Sequence, residues 1–409
     1  VSRLRVEFVK VFKYFIVNNQ MKKEHYLSAA LRAGRWLIDN QVVDPLDANN
    51  GRFLYCVNLE TGYLERSTGW QCGVGIMAIL RLSEVDSQNA QEYLSSAKLA
   101  AQYILSLQYL APDKPEVFGA FREDTPQTQW LHPRDSVTCA WALTKLYEAT
   151  GDNEYLLSAE RFAQWHLKHA WKKGWPVSTV QIKPNGLAFD PHDCIQGNFQ
   201  CGSASFFMLL AKICKNNEYA ENLAKPLLDY YCDKFLASTG RPHVLLNPDL
   251  PDIYSCDKPV LGIPQGWLEM HRYNDDFGAL SLLRGRVEFG DQRYLDAVTN
   301  YVQWLESKQN PDGSFGKPII TEAASSCVAL LLNEYRKITL SDRFETMRKK
   351  ALSHLLTLQQ KSSNKNIDGA FLGLDNKCDS APNTWVNIRN TTYAILVITE
   401  HCNRSRKKF

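Results

Sequence analysis

Six segments of this chain share one pattern that an isolated helix cannot satisfy. They are "YLSAALRAGRWLIDNQ" from Tyr26, "YLSSAKLAAQYILSLQ" from Tyr93, "YLLSAERFAQWHLKHA" from Tyr155, "YAENLAKPLLDYYCDKF" from Tyr219, "YLDAVTNYVQWLESKQ" from Tyr294 and "FETMRKKALSHLLTLQ" from Phe344. Apolar residues recur at i, i+3, i+4 and i+7, which predicts helices with one buried stripe and one wet face. Six other segments, at 67–82, 133–152, 200–214, 274–291, 321–338 and 387–402, alternate with them and are richer in apolar and small residues. A helix apolar nearly all round must be covered on most sides.

This alternation is a repeat of helical hairpins, each too small to bury its own face. An open stack of such hairpins needs atypical polar caps at its ends. Here the first and last repeats look like the middle ones, so closure is expected: an all-α (α/α)6 barrel over 26–402, with the apolar helices inside and the amphipathic ones outside. Residues 1–25 then form an N-terminal amphipathic segment, and 403–409 a basic tail. "EATGDNEYL" (148–156) and "EFGDQRYL" (288–295) read as tight return turns at one end of the barrel. The other end collects longer loops that share a Gly-aromatic turn: "NNGRF" at 49–53, "VFGAF" at 117–121, "QNPDGSFG" at 309–316 and "IDGAF" at 367–371.

Composition narrows the function without choosing it. The chain has 409 residues, 44% hydrophobic and 22% charged, which is ordinary for a globular protein. A net charge of +3 gives no reason to expect a nucleic-acid partner. No window reaches the ~18 apolar residues of a membrane span. Eleven cysteines are scattered without CxxC pairs, several inside apolar runs, as buried reduced thiols would be. The cytoplasm is the expected compartment, and the oligomeric state is left open.

Trp304, Gln309, Gly313 and Phe315 fit an aromatic-x4-Gln-x3-Gly-x-aromatic repeat, and Trp36 with Gln41 and Tyr103 with Gln108 fit its first half. On these residues and the hairpin alternation, the chain resembles the α/α-barrel or toroid superfamily. That resemblance implies one of several activities: glycoside hydrolase, polysaccharide lyase, sugar epimerase or, more distantly, terpenoid cyclase and protein prenyltransferase β-subunit. The Gln is expected to bond backbone groups at the helix end while the aromatic covers the turn. The repeat is therefore a device of architecture.

In a closed ring, the loops entering the inner helices surround one mouth, where six helix N-termini point partial positive charge. Those loops hold Trp70, Trp130, His132, Arg134, Asp135, His192, Asp193, Trp267, Glu269, His271, Arg272, Tyr273, Asp275, Asp276, Glu322, Trp385 and Arg389. Aromatics stack on sugar rings, charged groups bond hydroxyls, and cleavage needs an acid and a base. A glycan substrate is the expected partner, with no cofactor and no metal. His192-Asp193-Cys194 is a tempting triplet, but adjacent residues cannot all face one ion. Asp275 and Asp276 are the leading carboxylates for glycoside hydrolysis, with Asp135 and Glu322 behind them; the same positions suit helix caps and first-turn acids. A second chemistry is uronate lysis or C5 epimerisation, with Tyr273, His271 or His192 as base or acid and Arg272, Arg134 or Arg389 holding the carboxylate. Trp70, Trp130, Trp267 and Trp385 are the expected stacking platforms. An isoprenoid-processing enzyme and a non-catalytic binding toroid are the competing classes. "YNDD" (273–276) has Tyr273 where the acid motif of the class II terpenoid cyclases begins with Asp.

Overall fold

The computed structural model of the chain describes residues 23–172, 175–189, 195–236, 239–246, 270–275, 277–316, 324–373 and 384–403. Twelve long helices run among them. The amphipathic segments form α1 (23–39), α3 (Ala90–Leu107), α5 (Asn153–His169), α7 (218–235), α9 (Gln292–Lys308) and α11 (Glu345–Thr357). The apolar segments form α2 (Gly69–Ser83), α4 (Pro133–Thr150), α6 (Gly197–Cys214), α8 (Gly278–Phe289), α10 (Ala324–Thr339) and α12 (Ile388–Asn403). Contacts between the apolar helices pass from α2 to α4, α6, α8, α10 and α12 in turn, and α12 packs back on α2. That last contact closes the ring, so the fold is the expected (α/α)6 barrel.

The return turns use one device twice. Gly151 and Gly290 end α4 and α8 in the left-handed region, at φ of 72° and 75°. The next residue, Asp152 or Asp291, accepts a hydrogen bond from the N–H two residues on, Glu154 at 3.0 Å or Arg293 at 2.9 Å, and starts the outer helix. Helix α7 is the irregular member. It is π-wound over Ala220–Ala224 and Tyr231–Phe235, with an α-helical stretch over Lys225–Tyr230 between them. Pro226 lacks the N–H that a regular helix would use there.

The loop end explains the Gln and Gly of the repeat. Gln41 Nε2 donates to Gly51 O and to Ser96 O of α3, both at 3.0 Å. Gln108 Nε2 donates to Gly119 O and to Ser158 O of α5, both at 2.9 Å. Gln309 joins Gly313 O to Met347 O of α11, and Gln359 joins Gly369 O to Ala29 O of α1. Each side-chain amide therefore ties its own turn to the next outer helix, and the Gln359 amide ties the last repeat to the first. The glycines lie at φ between 87° and 96°, and each backs onto a carbonyl oxygen three residues beyond the one its Gln holds: Leu99, Arg161, Lys350 or Arg32. A Cβ at any of them would overlap that oxygen.

The aromatic of the repeat reaches further than the sequence implies. Trp36 Nε1 donates to Asn366 O at 2.8 Å and Trp165 Nε1 to Glu116 O at 2.9 Å, so these rings cover the turn of the preceding repeat, not their own. Tyr103 carries the Arg52 guanidinium of the preceding loop over its ring at 5.2 Å.

The core fills the space between the two rings of helices. Seven of the eight cysteines in the described residues are buried in it or beside it, and all eight are free thiols. No described helix is long and apolar enough to cross a membrane.

If the staple holds the ring, glycine position matters more than glycine conformation. Gly369→Ala should lower the unfolding free energy by more than about 2 kcal/mol, through overlap with the α1 backbone. Gly62 has a similar φ of 71° but open space around it, so Gly62→Ala should cost only about 1 kcal/mol of left-handed backbone strain. Urea unfolding of both variants makes the comparison; equal losses would contradict the staple.

Candidate functional site at the loop end of the barrel

The inner helices begin at this end, and polar groups hold their starts. Thr68 N–H donates to Gln71 Oε1 at 2.6 Å at the start of α2. His132 precedes Pro133 at the start of α4, and its Nδ1 lies 3.0 Å from Ser178 O. Asn387 Oδ1 accepts from Asn390 N–H at 2.9 Å in the first turn of α12. Two small antiparallel sheets frame the opening. One joins β1 (Leu54–Asn58), β2 (Leu64–Arg66) and β6 (Trp385–Asn387), with Cys56 opposite Asn387, so it bridges the first and last repeats. The other joins β3 (Trp130–Leu131), β4 (Val180–Lys183) and β5 (Gly186–Phe189). Trp130 is 41% exposed on β3, its ring 5.0 Å from His132. Trp385 on β6 meets Tyr63 edge to face at 6.3 Å, and Tyr63 is 52% exposed.

Inside the opening, Trp70, Arg134, Asp135, Trp141, Phe277 and Tyr393 line a cavity of about 30 Å3. Asp135 stands buried in the first turn of α4. Arg134 Nη1 is 3.6 Å from Asp135 Oδ1. Beside them lies a carboxyl group that the sequence did not single out. Glu123 is buried between the starts of α2 and α4, with Thr68 Oγ1 at 3.4 Å from its Oε1 and Gly69 N–H donating to its carbonyl at 3.1 Å. Burial pushes its pKa well above the usual carboxylate range, and the Asp135 charge adds to the rise; Arg134 and the Thr68 hydroxyl work against it. Two carboxyl groups, one with a raised pKa and one at a helix start, thus share a buried corner beside the mouth. Burial also lowers the His132 pKa, so its imidazole is neutral around pH 7.

Asp275 is placed differently. Its Oδ1 accepts from the Tyr231 hydroxyl at 2.6 Å and its Oδ2 from the Ala279 N–H, so it caps α8 and ties it to α7. The expected helix over 274–291 accordingly starts only at Gly278. His271, Arg272 and Tyr273 form a buried helical turn, in which Tyr273 packs on Trp304 at 5.0 Å and Arg272 O accepts from the Tyr301 hydroxyl at 2.8 Å. That turn belongs to the wall beside α9. Arg389 is buried in α12, its guanidinium 5.8 Å from the Tyr393 ring centre. Asp276, Glu322, His192, Asp193, Trp267 and Glu269 lie outside the described residues.

Phe277 interrupts the lumen. It holds φ at 73°, a left-handed conformation that costs a non-glycine residue about 1 kcal/mol. Its ring is wedged between Trp141 at 5.6 Å and Tyr393 at 5.1 Å, both near edge-on. On the far side, towards the return turns, opens a chamber of about 500 Å3 with Trp141, Phe277, Leu280 and Leu330 in its lining. Its charges are paired: Arg284 with Glu334, Lys337 with Glu334 and Glu400, Lys145 with Glu148.

Sequence reasoning missed Glu123, Tyr63 and Phe277. The available signal for Glu123 was its place two residues after Phe121 of the repeat turn, where the chain re-enters the barrel. Tyr63 had none beyond being an aromatic near a Gly-containing turn, and Phe277 read as an ordinary position inside a helix.

The fold is shared with solved structures at low sequence identity. An unsaturated glucuronyl hydrolase specific for heparin matches with a TM-score of 0.66 and 13% identity, over 93% of this chain and 97% of that one. A family 76 glycoside hydrolase (mannosidase) from Bacteroides thetaiotaomicron matches at 0.65 and 12%, over 94% and 100%. A cellobiose 2-epimerase from Bacillus thermoamylovorans matches at 0.64 and 12%, over 90% and 95%. All three are α/α toroids, as this chain is. No protein-family model matches the sequence, and no curated protein matches it.

The Glu123 corner has a pH signature. With the folded pKa above the ordinary 4.5, the folded chain keeps a proton that the unfolded chain releases, so stability falls as pH rises from that value. Glu123→Gln keeps the shape and removes the charge. Its urea midpoints at pH 5 and pH 8 should therefore differ less than those of the parent, at an unchanged m-value. An unaltered slope would place the pH dependence elsewhere.

Proposed function

We propose that this chain is a carbohydrate-active enzyme that hydrolyses a glycosidic bond at the loop end of the barrel. The single observation that carries the reading is the Asp135 corner: a carboxylate at a helix start, facing the lumen between Trp70 and Arg134, with a second carboxyl group, Glu123, beside it. The fold shared with two glycoside hydrolases and an epimerase supports the same class.

In this reading Asp135 reacts at the anomeric centre or activates water there. Arg134 holds its geometry and a sugar hydroxyl, and Trp70 packs on a ring face. Glu123 is a positioning residue, whose proton spares Asp135 a second buried negative charge. The partner carboxylate is Asp276, which lies in the sequence between the capping Asp275 and the lumen-lining Phe277. Asp275 itself is a positioning residue, because both its oxygens already accept hydrogen bonds. Trp130 on one sheet, and Trp385 with Tyr63 on the other, bind the outlying sugars. A Tyr273 base finds no support in a ring packed on Trp304.

A panel of diverse glycans with product mass readout identifies the substrate. On it, Asp135→Asn and Asp276→Asn should each lower kcat by about 100-fold or more, with the thermal midpoint kept. Turnover undiminished in both variants would remove the hydrolytic assignment.

A further inference from the structure

We infer that Phe277 sets the depth of the substrate site: it is the floor that lets a glycan enter by its end and stops it there. The inference rests on the glycan reading above and goes beyond it, to a specificity residue and to action on chain ends.

Three independent features meet at this side chain. It lines the mouth cavity, the small pocket beside Asp275 and Cys327, and the large chamber at the return-turn end, so it stands where these spaces would otherwise join. Its ring is gripped from two sides, by Trp141 of α4 and Tyr393 of α12, the two inner helices that flank α2 in the ring. Its backbone is held at φ of 73°, where glycine is the favoured residue. A regular first turn of α8 would direct the side chain elsewhere. The left-handed residue, anchored by the Asp275 carboxylate on the Ala279 N–H, swings the ring into the lumen instead.

A floor at this depth has a chemical consequence. Asp135 lines the same cavity as Phe277, and that cavity, about 30 Å3, leaves no room for a run of sugars between the reacting bond and the floor. A polymer cannot thread through the barrel into the chamber beyond. It is cut near an end, and the released piece has a fixed short length. Trp141 and Tyr393 keep the ring in place, so substrate length is read by a rigid group.

The test uses the full chain, with Phe277→Gly and Phe277→Leu as variants. Glycine suits the backbone angle and deletes the ring; leucine keeps most of the bulk. On the polymer found in the glycan panel, the parent should release short products of one length without an early fall in viscosity. Phe277→Gly should release longer or mixed products, and Phe277→Leu should resemble the parent.

A second measurement needs no turnover. Cys327 lies buried beyond the ring, its thiol donating to Asn274 Oδ1, and alkylation of its peptide is followed by mass spectrometry. Opening the floor should speed that alkylation by about tenfold or more, because a buried thiol reacts only as fast as reagent reaches it. Unchanged alkylation in Phe277→Gly overturns the floor. Faster alkylation with unchanged product length overturns its role in specificity, as does an early viscosity loss in the parent. Faster alkylation in a protein that turns over no glycan leaves the floor standing and removes the glycan reading, and the end-cutting role with it.

Discussion

The barrel depends on one repeated contact, a glutamine amide that bonds its own turn and the backbone of the next outer helix. Hairpins with an apolar inner helix could stack in many ways, since hydrophobic burial has no direction of its own. The Gln–Gly pair supplies direction. Its glycine has no Cβ, so the turn lies directly on the neighbouring helix, and its glutamine then reaches a carbonyl one turn away. Each such bond contributes about 1 kcal/mol net, and loss of the amide would strand the turn carbonyl at a further cost of about 1–3 kcal/mol, while the helix carbonyl keeps its own intrahelical bond. The version at Gln359 and Gly369 is the one that turns a stack into a ring, because its partner is the first helix of the chain.

Ring closure then dictates where chemistry can occur. All inner helices start at the loop end, so their N-terminal dipoles point at the mouth and favour anions there. Asp135 stands at one such start. Glu123 is set back in the wall, where burial raises its pKa above the usual carboxylate range. The opposite end offers a larger space, yet its carboxylates are taken by Arg284, Lys337 and Lys145, and it collects helix C-termini. Volume alone would have selected that chamber. The carboxylate corner selects the mouth.

How much of this was legible in the sequence follows from the range of each interaction. Helix periodicity is local, so all twelve helices and their inner and outer assignment could be read, and the Gly-Asp return turns with them. The repeated Gln and Gly could be read as a turn device. Their partners could not, because they lie 55 residues away for Gln41 and 330 for Gln359. Trp70, Arg134 and Asp135 were legible as a group because first-turn positions of inner helices must face the opening. Glu123 was not, since its pKa depends on burial against α2 and on a charge from α4. Asp275 read as a leading acid and also as a cap, and only the positions of Tyr231 and Ala279 show the cap contacts. A positive φ at Phe277 leaves no trace in residue type, because phenylalanine is a poor choice for it.

The most direct test of the account is a crystal structure of Asp135→Asn soaked with the glycan identified by product analysis. The account predicts a sugar chain in the mouth, with one ring on Trp70, a hydroxyl within hydrogen-bond distance of Arg134, and its end against Phe277. A glycan seated in the chamber among Arg284, Glu334 and Lys337, with the mouth empty, would contradict it.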